Sequence, residues 1–128
     1  MSHPAAAFLQ DTADRIARQL GLHGPRAVAE GLCFELDGIT CQIDPLPHRS
    51  ALMLACELRD PMPGDELAVY RHWLELQRLF AADIDAGFMI DPPTGRHLFA
   101  VRLPCTPPAD VPALAAAVRA CVRQVGHW

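Results

Sequence analysis

Residues 32–44 read LCFELDGITCQID, and they settle the class of the chain. Leu32, Phe34 and Leu36 alternate with Cys33 and Glu35, while Ile39, Cys41 and Ile43 alternate with Thr40, Gln42 and Asp44. A period of two is the mark of a strand with one buried face. Between the halves stands Asp37-Gly38, a pair suited to the positive φ angles of a type I′ turn. A two-residue turn sets Leu36 opposite Ile39, Phe34 opposite Cys41 and Leu32 opposite Ile43. All six apolar side chains then share one face. An antiparallel hairpin with one greasy face needs a second layer to cover it.

The flanking sequence supplies that layer. On the N-terminal side, Ser2 or His3 opens a helix, with Pro4 tolerated in its first turn. Phe8, Thr12, Ile16 and Leu20 recur every four residues, and Gln10, Asp11, Asp14, Arg15 and Arg18 lie opposite. Gly21 is its natural C-cap, and Gly24-Pro25 breaks the pattern. On the other side, Pro45–Ser50 reads as a loop. Ala51–Leu58 reads as a third strand whose outer face, Met53, Ala55 and Glu57, is unusually apolar. A second hairpin follows, Gly87–Ile90 and His97–Leu103 around Asp91–Arg96. Asp110 caps a last helix in which Val111, Leu114, Val118, Cys121, Val122 and Val125 keep helical spacing. The expected order is α-β-β-β-α-β-β-α, a twisted and mainly antiparallel sheet packed by helices. The class is α+β in a single domain spanning residues 1–128.

The helix in the middle, Asp65–Ala82, carries more apolar surface than one side can bury. Val69, Trp73, Leu76 and Phe80 form one stripe; Leu67, Tyr70, Leu74 and Ala81 form a second. A helix on the surface of a monomer needs a single stripe of roughly 100° or more. Two stripes suggest that one packs on the chain's own sheet and the other on the same helix of a second copy. The plainer alternative is a helix sunk in a monomer core. The wheel alone does not say which stripe is intramolecular.

Composition narrows the function. The chain has 128 residues and a net charge of −4, and all eleven basic residues are Arg. An acidic balance argues against nucleic acid or an anionic membrane as the main partner. No window approaches the ~18 apolar residues of a membrane span, and the start MSHPAAAFLQDTADR lacks the pattern of a signal peptide. A cytoplasmic protein is expected. The five cysteines, odd in number and without a CxxC pair, read as buried reduced thiols. The six histidines are scattered, and none keeps metal-ligand spacing. No phosphate-binding glycine loop or nucleophile elbow is present. Cys33 has no His or acid tied to it by spacing, and Asp83 and Asp85 read as the polar end of the middle helix. The reading is therefore no catalytic residue, no metal, no cofactor and no small-molecule substrate. A compact acidic domain with surplus apolar surface binds polypeptide more naturally than it turns over a substrate.

At this point the pattern resembles a family, the type III secretion chaperones of the CesT/Tir class. FLQDTADRIARQLGL looks like their first helix, GLCFELDGITCQID like their first hairpin and SALMLACEL like the third strand. FMIDPPTGRHLFAVRL, with its D-P-x-T-G-x turn between apolar strands, is the most specific match. The resemblance spans roughly residues 5–126. Many prolines, no Lys and a milder pI depart from the family's habit.

The resemblance implies a bacterial cytoplasmic homodimer with the middle helix at or near the two-fold axis. It implies binding, in extended form, of the N-terminal region of one or more secreted effectors, kept soluble and export-competent without ATP or any reaction. It also makes the secretion ATPase a candidate partner. The residues expected at the dimer seam are Val69, Tyr70, Trp73, Leu76 and Phe80. Those expected to bind effector are Phe8, Leu9, Leu46 and Met53. Two other readings stay open: a small dimeric enzyme of hotdog type, with a polar residue in an apolar cleft at the seam, and a regulatory protein-interaction module.

Overall fold

A computed structural model describes residues 4–79 and 86–126. In chain order the elements are α1 (Pro4–Gln19), β1 (Arg26–Val28), β2 (Gly31–Leu36), β3 (Ile39–Leu46), β4 (Ala51–Glu57), α2 (Glu66–Leu79), β5 (Ala86–Ile90), β6 (His97–Pro104) and α3 (Val111–Gly126). The strands form one antiparallel sheet in the order β1-β2-β3-β4-β6-β5.

The β2–β3 hairpin has the register its turn dictates: Leu36 opposite Ile39, Phe34 opposite Cys41, Leu32 opposite Ile43. Asp37 and Gly38 both hold positive φ, 51° and 80°, as a type I′ turn requires. Two features differ from the expected order. The short strand β1 pairs with residues 31–33 at the edge; three exposed residues are too few to show a period of two. Strand β3 also runs on through Pro45 and Leu46, which pair with Leu52 and Ala51. By the same register Pro45 would face residue 30, before β2 begins, so no neighbour on that side calls for its missing N–H.

One face of the sheet carries the core. Phe34, Cys41, Cys56 and Phe99 form one row across it; Ile43, Leu54 and Val101 form the next. Leu9, Ala13, Ile16 and Leu20 of α1 and Val111, Val118, Val122 and Val125 of α3 close over these rows. Each fully buried aliphatic side chain contributes about 1.5–3 kcal/mol. The polar group taken inside, Thr12, satisfies its hydroxyl on Phe8 O at 2.8 Å, one helical turn back. The end of α1 is fixed by Gly21 at φ 69° and by Leu22 N–H donating to Ala17 O at 3.2 Å. Arg119 of α3 donates to Leu20 O at 3.1 Å, joining a cation to the negative end of that helix.

Candidate interaction surfaces

Helix α2 shows how its two stripes divide. Val69 and Leu76 are 0% exposed, enclosed by the chain itself, and Leu76 belongs to the core cluster. They offer no surface to a second copy, which corrects their assignment to the dimer seam. The stripe that contains them is the intramolecular one. The other stripe lies open, with Leu67 at 65%, Tyr70 at 49% and Leu74 at 64%. Trp73 is half-buried between the two, and Phe80 lies outside the described residues.

The setting of α2 follows from three links. Asp65, just before it, accepts the Met62 N–H at 2.5 Å and pairs with Arg59 at 2.9 Å. Those contacts, the Met62 N–H foremost, hold its carboxyl below the usual value of 3.8. His72 donates a ring N–H to Val125 O at 2.6 Å, tying α2 to the last turn of α3. Trp73 packs against Phe88 and His97 with ring centroids 6.3 and 5.1 Å away, and Phe88 meets Phe99 at 5.2 Å. Tyr70 stands edge-on to Trp73 at 5.6 Å. This aromatic chain joins the open stripe of α2 to strand β5, where Phe88, Met89 and Ile90 are exposed as well. Among the described residues β5 pairs only with β6, so its outer backbone groups form a sheet edge.

A groove opens on the sheet face away from α1 and α3. Ala55, Ala100 and Gly87 lie in one row across β4, β6 and β5. Longer side chains flank them: Met53 and Arg102 in the row on one side, Leu98 and Met89 on the other. Small residues between long ones leave a trough of about 410 Å³, bordered also by Leu46, Arg49 and, at the β5 edge, Ala86 and Phe88. A Cβ placed on Gly87 would meet nothing within 4 Å. The charged groups lining the trough, among the described residues, are the two arginines.

Of the expected effector-binding residues, the fold brings Leu46 and Met53 together in this trough. Phe8 is half-buried and packs against the core, and it is not among the residues that line the trough. Leu9 is 1% exposed and part of the core; it has no surface left for a partner, which corrects its assignment. Sequence reasoning passed over Arg49, Gly87, Met89 and Arg102. The detectable signal was the apolar run Gly87–Ile90 in a strand that proves to be the last of the sheet. Among the described residues no group of three or more His, Cys, Asp or Glu could hold a metal ion. Nor is any described helix long and apolar enough to cross a membrane.

Comparison with known proteins finds chains of similar fold. A chain in the structure of the HopA1-SchA chaperone-effector complex is 14% identical, with a TM-score of 0.65 over 95% of this chain and 92% of that one. A chain in the crystal structure of the ExsC-ExsE complex is 15% identical, with a TM-score of 0.66 over 96% and 92%. At such identity the likeness is one of fold. No curated protein matches the chain in sequence. The sequence model of the Tir chaperone protein (CesT) family matches residues 13–128. The chain belongs to the Tir chaperone protein (CesT) family.

Proposed function

We propose that this chain is a homodimeric chaperone of a bacterial type III secretion system. It binds the N-terminal region of one or more effectors in extended form in the cytoplasm and keeps them soluble and competent for export. It works as a single domain over residues 1–128, without catalysis or cofactor, and hands its cargo to the secretion ATPase. The observation that carries this reading is the open apolar trough beside β5, which among the described residues is an edge of the sheet. An extended segment gains main-chain hydrogen bonds from such an edge and places alternate side chains in the trough. Arg49 and Arg102 suit an acidic residue next to the apolar ones, since charge of opposite sign steers encounter and sets register. The two-fold seam is assigned to the open stripe of α2, centred on Tyr70 with Leu67 and Leu74, with Trp73 beneath it and Phe88–Ile90 continuing it. Phe80, two helical turns after Trp73, is proposed to join the seam beside it.

The test is size-exclusion chromatography with light scattering, on the protein alone and co-expressed with the neighbouring reading frame. The expected species is a dimer of about 28 kDa, twice the chain mass of 14.0 kDa, that retains the N-terminal part of its neighbour without nucleotide. A monomer, or a dimer that holds no polypeptide, overturns the proposal. Within that experiment, Gly87→Leu puts a side chain into the trough from a position where the added Cβ meets nothing within 4 Å. Capture is expected to fall at least tenfold while the dimer and its melting temperature are kept.

A further inference from the structure

Three of the five cysteines meet inside the core. Cys41 on β3 faces Cys56 on β4, with the sulfurs 3.9 Å apart, and both are buried. Cys121 of α3 shares a hydrogen bond with Cys56 from the helix side. Contact with these two thiols and burial push the Cys56 thiol up from its ordinary value, so it stays protonated. The other two cysteines stand apart. Cys33 faces away from the core, opposite Gln42, and Cys105 follows the end of β6.

The register decides what the Cys41–Cys56 pair can do. Leu58 N–H donates to His97 O at 2.9 Å, toward β6. Cys56 is two residues earlier on the same side of that extended chain, opposite Phe99, so its backbone groups also point to β6. Toward β3 the Cys41–Cys56 pair is therefore one without hydrogen bonds. In such pairs the Cα atoms approach to about 4.5 Å and the side chains are at their closest. That spacing falls inside the range of about 4.4–6.8 Å that natural disulfides span. The sulfurs need only close to about 2.05 Å.

We infer that Cys41 and Cys56 form an oxidation site, closing to an intramolecular cross-strand disulfide when the folded protein meets a peroxide. One thiol, as thiolate, attacks a peroxide oxygen; the O–O bond breaks and a sulfenic acid and hydroxide result. The second sulfur attacks the sulfenic sulfur, the S–O bond breaks and its hydroxide leaves. The thiol protons convert both hydroxides to water. Two thiols and one hydrogen peroxide give one disulfide and two waters, with sulfur oxidised and peroxide reduced. Cys121 is the competing partner. The bond would join the two strands that carry Leu46 and Met53, fixing one wall of the trough.

The experiment treats the folded protein with hydrogen peroxide, blocks remaining thiols with iodoacetamide during denaturation and maps tryptic peptides without reduction. Cys41 falls in the peptide of residues 27–49, Cys56 in 50–59 and Cys121 in 120–123. The expected product joins 27–49 to 50–59, separates with dithiothreitol and runs as a single chain on a non-reducing gel. It persists in Cys33→Ala, which removes the other thiol of peptide 27–49, and disappears in Cys41→Ala. A link from 50–59 to 120–123, or peptides that stay unlinked, overturns the inference. The wild-type and Cys33→Ala maps decide the matter even if Cys41→Ala fails to fold.

Discussion

Asp65 carries a charge whose environment is set by the turn it closes. The Met62 N–H first, and Arg59 second, favour its ionised form and depress its pKa below 3.8. A carboxyl whose folded pKa is depressed contributes stability above its unfolded pKa and loses it as pH falls through the folded one. The turn into α2 should therefore stay closed at neutral pH and loosen only in acid below that value. Following the Asp65 carboxyl carbon by NMR through an acid titration should give a midpoint under 3.8, and Asp65→Asn should abolish the transition. Because the group is exposed, the protein's overall melting temperature should barely move. Gly87 is the opposite kind of residue, valuable for what it lacks. Its absent side chain leaves the trough open, and filling it changes a surface without disturbing a core.

At the scale of the element, α2 separates stability from association. Val69→Glu puts a charge into a space closed by the chain itself, so the variant should be insoluble or unfolded. Leu74→Glu changes a side chain that is 64% exposed, so the variant should fold and elute as a monomer. Circular dichroism and light scattering on the two together check the assignment of stripes. A folded dimer from Leu74→Glu would move the seam elsewhere. Leu76→Ala should cost about 2–5 kcal/mol in denaturant unfolding, the usual range for truncating an enclosed leucine. The helical wheel had shown both stripes. It could not rank them, because Trp, Leu and Val look the same whether sheet or solvent lies opposite.

For the molecule as a whole, apolar exposure is concentrated rather than scattered. Among the described residues, Leu67, Tyr70 and Leu74 on α2 and Phe88, Met89 and Ile90 on β5 account for most of the exposed large apolar side chains, and Trp73 links the two groups. A monomer would leave this surface in water, whereas a two-fold pairing through α2 would cover much of it. The trough opens toward the same edge. Effector capture and dimer formation are thus expected to be neighbouring but separable: Gly87→Leu should spare the dimer, and Leu74→Glu should lower capture only as far as the dimer itself is needed. Affinity measured for both variants against one co-purified effector fragment distinguishes the effects.

The chain's local chemistry determined a good deal by itself. Alternation around Asp37-Gly38 fixed a hairpin down to its register, since a period of two and a two-residue turn admit one pairing. Four-residue spacing placed α1 and α3, and the chain of elements pointed to an α+β sheet and to the family. The three-residue edge strand β1 escaped because it is too short for any period to show. The sites escaped for a different reason. Leu9 against Leu46, or Val69 against Leu74, differ in nothing that sequence records. Which of each pair meets water depends on what packs against it, and the row of Ala55, Ala100 and Gly87 comes from β4, β6 and β5, whose order in the sheet is not their order in the chain. Only the tertiary pairing sets those residues side by side and opens the trough between them.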